Sequence, residues 1–204
     1  TVANNSDLYA TFMPKPVFGV NGSGMHTHQS LFSEDGENLF YDREDKYKLS
    51  STAYHFMGGQ LRHIREIAAV LCPTVNSYKR LVRGYEAPVY ICWGQRNRSA
   101  LIRVPKYSVG REKSTRLELR CSDPSCNPYL AFAVMLAAGL KGIEEKIKPP
   151  APVEEDVYGF DDKKLAKFYI KTLPADLGEA LDEFKKSRLV RETLGEHVFN
   201  KYLE

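Results

Sequence analysis

The sequence has few cysteines, no long apolar run and little net charge, and each of these shortages excludes a class of protein. The four cysteines have neither C-x-x-C spacing nor a nearby histidine in a zinc pattern, so we expect reduced thiols rather than a disulfide framework or zinc site. The longest apolar stretch, residues 130–140, is too short to cross a bilayer. A formal net charge of +3 gives no indication of nucleic-acid binding.

The N-terminal region also lacks a signal-peptide pattern, because no basic stretch is followed by an apolar one. Together with the reduced thiols, this predicts a cytoplasmic protein without a membrane contact. The first residue is Thr1 rather than Met, so we expect the chain to be part of a longer protein. With 12 Tyr, 10 Phe and a hydrophobic fraction of 43%, the chain has enough apolar material to bury a core.

The apolar patterning predicts an α+β fold. A helix is predicted from Ser50 or Ser51, either of which can cap it, to the region before Pro73. A second helix is predicted to open at Asn127, with Pro128 in its first turn, and to end before residue 149. An exposed connector is expected at 149–162, followed by helices near 176–186 and 190–203. Strands are predicted at 8–13, 25–32, 89–93, 100–104 and 115–121, which gives a mixed or largely antiparallel sheet packed against helices, with a helical C-terminal region.

Charged side chains alternate along the predicted strand at residues 115–121. Because successive strand residues point to opposite faces, Arg116, Glu118 and Arg120 share one face and the two leucines share the other. A row of cation, anion and cation that faces a cavity can hold a metal ion together with anionic oxygens. A solvated ladder of charges with cross-strand pairing is the alternative.

Further cations lie close to this strand in the sequence although the whole chain is nearly neutral. Arg80 precedes the strand region, Arg98 and Arg103 lie within it, and a loop with more Lys and Arg follows. Arg suits bidentate contact with carboxylate and phosphate. We therefore expect a small polyanionic or carboxylated ligand, such as a nucleoside triphosphate.

The segment GSGMHTHQS brings two histidines into one predicted strand. His26, His28 and Ser30 then share a face, where one imidazole can ligate a metal and another can donate to phosphate. Two hydrogen-bonded surface histidines are the alternative. The turn at residues 21–24, whose glycines permit positive φ, is not a P-loop because no Gly-Lys-Ser/Thr follows it.

Five segments in order resemble the C-terminal part of the catalytic domain of type I, prokaryotic glutamine synthetases. They are NGSGMHTHQSL at 21–31, NSYKRLVRGYEAP at 76–88, RNRSALIRVP at 96–105, TRLELRCSDPSCNPYLAF at 115–132 and the helix that follows. The resemblance implies part of that family's half-barrel sheet and an ATP-dependent ligation of ammonia to glutamate through γ-glutamyl phosphate. It implies Mg²⁺ or Mn²⁺ and a double-ring homododecamer. It also divides the chain into a partial catalytic domain at 1–145 and a connector with C-terminal helices at 146–204, without the family's N-terminal β-grasp domain.

The resemblance also implies a role for individual residues. The metal ligands would be His26 and Glu118. The catalytic groups would be Arg98 and Glu86, the latter on a mobile loop that closes the site and deprotonates ammonium. The glutamate-binding residues would be Asn21, Gly22, Arg80, Glu86 and Arg120. The ATP-binding residues would be His28, Ser30, Arg98, Arg103, Lys113 and Arg116, with Lys106 or Arg111 as alternatives to Lys113. Tyr158, in the connector, is expected to be a surface tyrosine rather than a regulatory one.

Two metal ligands are too few for a six-coordinate ion without several waters, so we expect the chain alone to be inactive. Two other functions stay open. One is a ligase of the same fold that joins glutamate to a larger amine such as a polyamine. The other is a truncated, non-catalytic relative. Such a relative would be expected to have lost the site residues, whereas His26, Glu86, Arg98 and Glu118 are all present in this sequence. A nucleic-acid-binding protein is disfavoured because the sequence has no recognition motif and no aromatic stacking platform.

Overall fold

The computed structural model describes residues 2–84 and 87–204, and short strands alternate with helices over its first two thirds. In chain order, the strands and α-helices are β1 (Thr27–Gln29), α1 (Ser51–Leu71), α2 (Val75–Arg80), β2 (Tyr90–Gly94), β3 (Ala100–Arg103), β4 (Leu117–Leu119), α3 (Pro128–Glu144), α4 (Asp162–Lys167), α5 (Leu177–Lys186) and α6 (Arg188–Lys201). The predicted α+β class and the helical C-terminal region are both confirmed.

The four strands form one mixed sheet in the order β1-β4-β3-β2. The pairs β1–β4 and β3–β4 are antiparallel, whereas β2 and β3 run parallel. Glu118 in β4 lies opposite His28 in β1 and opposite Arg103 in β3. Leu117 and Leu119 are fully buried, so the predicted leucine face of β4 is the core face.

The strand predicted at residues 8–13 is wrong, because this segment is irregular. Tyr9 and Phe12 are largely exposed, and a strand needs a hydrogen-bonded neighbour as well as an alternating pattern. Three of the other strands lie within their predicted ranges but are shorter, and β2 is shifted by one residue at the predicted length. The sequence did not predict α2, which has six residues and is too short to show a helical period. α4 also has six residues and lies in the C-terminal region that is predicted to be helical.

The two long helices begin at the predicted caps. Ser50 Oγ accepts a hydrogen bond from the Ala53 amide at 3.2 Å, and α1 runs from there to Leu71. Asn127 Oδ1 accepts from the Tyr129 amide at 3.0 Å, and Pro128 occupies the first turn of α3. Each cap satisfies an amide that has no partner within its own helix.

α1 and α3 pack against each other through glycines. A Cβ built on Gly59 would lie 2.6 Å from the Gly142 Cα and even closer to the Ala138 carbonyl oxygen. Residues without side chains therefore bring the two backbones together. This contact holds α1 against the helix that directly follows the charged strand.

The connector after α3 packs against the sheet rather than lying fully exposed as predicted. Trp93, 2% exposed, donates from Nε1 to the Pro150 carbonyl at 2.7 Å, and the rings of Tyr47 and Tyr54 contact the indole edge-on. Val157 is fully buried. Tyr158 is half-buried against Tyr90, so the expected surface tyrosine is also a packing residue.

The four cysteines are buried and carry free thiols, as the sequence predicts. Burial raises the pKa of the Cys92 thiol to about 12. Over residues 2–84 and 87–204, none of the helices is long and apolar enough to cross a membrane.

Candidate functional site

Glu118 is the centre of a buried ionic cluster on the polar face of the sheet. Its Oε1 lies 3.0 Å from His26 Nδ1 and 3.6 Å from Arg120 Nε, and its Oε2 accepts from Arg103 Nη1 at 2.9 Å. The Glu118 side chain is 5% exposed. Burial alone would raise the pKa of Glu118, but the His26 hydrogen bond and the two guanidinium charges outweigh it and lower the pKa to about 2. The site therefore holds an ionised carboxylate at neutral pH.

The Glu118 carboxylate fixes the tautomer of His26. An ionised carboxylate only accepts hydrogen bonds, so His26 Nδ1 carries the proton. In neutral imidazole this leaves the Nε2 lone pair for a metal ion, and a histidine held by a carboxylate is the usual arrangement of a metal ligand. The free Nε2 lies on the other side of the ring from the Glu118 carboxylate, so Glu118 orients His26 through Nδ1.

His28 has the opposite tautomer. Arg116 Nε donates to His28 Nδ1 at 3.0 Å, and Arg116 Nη1 also donates to the Ser114 carbonyl at 2.8 Å. Burial, aided by the charge of Arg116, lowers the pKa of His28. The neutral ring therefore presents Nε2–H as a donor, which suits an anionic oxygen.

A cavity of about 240 Å³ opens beside this cluster. Four residues predicted to bind glutamate line the cavity: Asn21, Gly22, Arg80 and Arg120. The predicted metal ligand His26 also lines it, and Lys15, Gly24 and Ala87 complete the wall. Three cationic side chains therefore face one small space, which favours a small anion.

Arg80 enters the cavity wall from the last turn of α2. It is 5% exposed, and its Nη1 donates to the Cys121 carbonyl at 2.6 Å while Nη2 donates to the Arg120 carbonyl at 3.2 Å. These carbonyls follow the end of β4. They fix the guanidinium plane and leave the other donors of Arg80 for a ligand.

Arg120 is held in a similar way from the other side. Its Nη1 donates to the Arg98 carbonyl and, at 3.4 Å, to the Ala100 carbonyl. Burial lowers the pKa of Arg120, and the charge of Glu118 opposes this change. The backbone before β3 and the carboxylate of β4 thus orient the second guanidinium of the cavity.

The glycines of residues 21–24 are there for close approach and not for positive φ. Neither Gly22 nor Gly24 has a left-handed backbone. A Cβ on Gly24 would lie 2.5 Å from Arg80 Nη2, and one on Gly22 would meet the Pro14 carbonyl and lie 3.3 Å from Arg80 Cγ. The loop therefore lies directly on the Arg80 side chain.

The predicted ATP-binding residues fall into two sets. His28, Arg103 and Arg116 belong to the cluster around Glu118. Ser30, Arg98 and Lys113 are exposed, Ser30 just after β1 and Lys113 in a 3-10 turn, Glu112–Ser114. Glu86, predicted to be both catalytic and glutamate-binding, lies outside the described residues.

The donor set fits part of a divalent-metal site. Glu118 has about four lone-pair positions, and the hydrogen bonds from His26 and Arg103 use two of them, while Arg120 Nε lies 3.6 Å from Oε1. Over residues 2–84 and 87–204, no group of three or more His, Cys, Asp or Glu side chains is arranged to hold a metal ion. A six-coordinate ion bound here would therefore need donors beyond His26 and Glu118.

Sequence reasoning missed three residues that build the site. Lys15 lines the cavity, and Asn76 accepts from the Lys15 amide at 2.7 Å. Asn38 Nδ2 donates to the Thr115 carbonyl at 2.8 Å and to the Lys113 carbonyl at 3.2 Å, which ties the Lys113 turn to the loop before α1. The cationic side chain of Lys15 is a sequence feature that could have indicated an anion site. The two asparagines bind backbone groups of distant residues, and such contacts produce no pattern in the sequence.

Comparison with known proteins agrees with this geometry. The family model described as "Glutamine synthetase, catalytic domain" matches residues 1–204. Glutamine synthetase of Methanosarcina mazei is 58% identical over 203 residues, which cover 100% of this chain and 44% of that protein. Glutamine synthetase of Thermotoga maritima is 56% identical over 204 residues, which cover 100% of this chain and 46% of that protein.

Solved structures agree with the sequence relatives. A chain described as "GmaS/ADP complex-Conformation 1" superposes with a TM-score of 0.86 at 38% identity, covering 98% of this chain and 46% of that one. "Apo GmaS without ligand" gives 0.83 at 37% identity, covering 98% and 45%. The chain thus spans less than half the length of the curated relatives it matches. From its fold, its site and these matches, the chain belongs to the glutamine synthetase catalytic-domain family.

Proposed function

We propose that this chain is the part of a glutamate–ammonia ligase that holds glutamate and the nucleotide phosphates. In the proposed reaction, ATP phosphorylates the side-chain carboxylate of glutamate and releases ADP. Ammonia then displaces phosphate and leaves glutamine. One observation carries the proposal: Asn21, Gly22, Arg80 and Arg120 line a single small cationic cavity beside the His26–Glu118 pair.

Each side of the site suits one substrate. The cavity guanidiniums of Arg80 and Arg120 are held by backbone carbonyls, so they meet a carboxylate without rearranging. Arg103 and the Nε2–H of His28 lie on the sheet face and offer donors to phosphate oxygens. We assign glutamate to the cavity and ATP to the sheet face, with Ser30, Arg98, Lys113 and Arg116 as further ATP contacts.

A divalent ion, Mg²⁺ or Mn²⁺, would neutralise charge on the transferred phosphoryl group. We assign His26 and Glu118 as two of its ligands. Glu86 is proposed as the carboxylate that takes the proton from ammonium. Arg98 is proposed to contact the transferred phosphoryl group.

The shortage of ligands leads to a second part of the proposal. His26 and Glu118 alone do not complete the coordination shell of a six-coordinate ion. We therefore propose that these 204 residues are inactive alone. The resemblance to glutamine synthetases supports the further proposal that the active protein is a cytoplasmic homo-oligomer, a dodecamer.

The test is glutamate-dependent phosphate release by the complete reading frame that contains this chain, with ATP and Mg²⁺. We expect activity with ammonium, no activity from the 204-residue chain, and a fall of at least about a hundredfold in kcat/KM for Glu118→Gln. Glu192→Gln is the matched control, because this exposed α6 residue forms a surface ion pair with Arg188.

Two outcomes would overturn the proposal. Turnover with larger amines but not with ammonium would make the protein a different γ-glutamyl ligase. A folded complete protein without turnover on any amine would favour the non-catalytic relative.

A further inference from the structure

Asn76 makes a contact that the proposed reaction does not use directly. Its side-chain Oδ1 accepts from the Lys15 amide at 2.7 Å, and its Nδ2 donates to the Lys15 carbonyl at 3.1 Å. An asparagine that satisfies both polar groups of one distant residue holds that backbone in position and orientation. The two residues are 61 positions apart in the chain, so the contact joins two separate segments.

The segment held by Asn76 supports the loop of the cavity. The Pro14 carbonyl accepts from the Ser23 amide at 2.8 Å, and Gly22 packs directly against the same carbonyl. Lys15 Nζ donates to the Val20 carbonyl. The position of residues 14–15 therefore determines where residues 20–24 lie.

The helix that carries Asn76 also carries Arg80. Residues four apart share one face of a helix, so Asn76 and Arg80 lie on the same face of α2. Asn76 holds Lys15 and, through residues 14–15, the loop of residues 21–24, while Arg80 donates to the carbonyls after β4. One short helix thus sets the distance between the two walls of the cavity.

We propose that Asn76 is a positioning residue for glutamate, acting through Lys15 and the loop of residues 21–24. This inference rests on the assignment of the cavity to glutamate under Proposed function. Within the described residues, the hydrogen bonds of Asn76 go to the Lys15 backbone and not to the sheet-face groups assigned to ATP. Its loss should therefore weaken glutamate binding and spare ATP.

The test compares Asn76→Ala with the wild-type complete reading frame. We expect the KM for glutamate to rise about tenfold, the change expected for losing one or two neutral hydrogen bonds, with the KM for ATP and kcat within about twofold. Lys79→Ala is the matched control, because this exposed residue lies on the same helix but is not part of the Asn76–Lys15 contact. A fall in kcat together with equal rises in the KM for glutamate and the KM for ATP would overturn the proposal, since it would indicate a general structural defect.

Hydrogen exchange tests the contact without turnover. In Asn76→Ala, the amides of residues 15 and 20–24 should exchange faster than in the wild type, and Asn76→Asp should give a smaller rise because it keeps the acceptor for the Lys15 amide. Unchanged exchange would show that Asn76 does not hold residues 15 and 20–24 in place, and it would overturn the proposal even if the enzyme is active. If the wild-type protein proves inactive, the proposed function fails. The exchange measurement alone then supports or overturns the inference that Asn76 holds residues 15 and 20–24 in place.

Discussion

The crossing of α1 and α3 gives a quantitative test of the packing that supports the site. A Cβ added at Gly59 would lie 2.6 Å from the Gly142 Cα and 2.7 Å from the Gly142 nitrogen, and closer to the Ala138 carbonyl oxygen. Carbon atoms in contact prefer about 3.5–4.0 Å. All three atoms belong to the backbone, so a side chain cannot rotate to make room and the helices must move apart.

The magnitude for Gly59→Ala follows from two opposing effects. Overpacking a closely packed core costs about 1–3 kcal/mol. Replacing a mid-helix glycine by alanine gains about 0.8–1.0 kcal/mol in helix propensity. Because the clash involves backbone on both sides, we take the upper part of the first range and expect a net loss of about 1–2 kcal/mol. This corresponds to a fall in Tm of about 2–8 °C for a domain of this size.

The assay is urea and thermal unfolding followed by circular dichroism. Gly159→Ala is the control, because a Cβ built on Gly159 has no atom within 4 Å and the backbone φ is not left-handed. The same substitution should there stabilise the protein by about 0.4–1 kcal/mol by restricting the unfolded chain. A Gly59→Ala protein as stable as the wild type would refute the inference that backbone contact limits this crossing.

Three further predictions concern caps, pH and thiols. Asn127→Ala should lower the free energy of unfolding by about 1 kcal/mol, measured by urea titration, because the first amides of α3 lose their acceptor. Burial favours a higher pKa for Glu66, but hydrogen bonds from His63 at 2.9 Å and Ser187 at 2.5 Å outweigh it and lower the pKa. This stabilisation is fully present above the unfolded carboxyl pKa of about 4.3 and is lost as the pH falls through the lowered pKa of the folded state. The difference in urea unfolding midpoint between the wild type and Glu66→Gln should therefore become smaller from about pH 6 to about pH 3. The four buried thiols should resist an aromatic disulfide reagent in the native protein, and all four should react in urea.

Local signals predicted the long helices and the polar face of the sheet. Ser50 and Asn127 cap where the sequence places them, because a cap depends on residues within one turn. The alternation of Arg116, Glu118 and Arg120 predicted the cluster face, because strand period alone decides which side chains share a face. These features need no knowledge of distant parts of the chain.

Features that depend on distant pairing were not predictable from pattern. The parallel pairing of β2 with β3 and the irregular segment at 8–13 follow from which strand finds a neighbour. His26 and Glu118 are 92 positions apart, and only the family resemblance joined them before the structure did. Asn76 was missed because its partner is backbone, and Gly22 was read as a turn glycine although close approach to Pro14 and Arg80 requires it.

The packing of Trp93 gives the molecule a built-in optical probe. It is the single tryptophan of the sequence, it is 2% exposed, and its N–H bonds to the connector at Pro150. An indole shielded in this way emits at short wavelength, and release of the connector would admit water and shift the emission to the red. Fluorescence therefore reports on the contact between the sheet and the connector that leads to the C-terminal helices, while circular dichroism reports on the helices themselves.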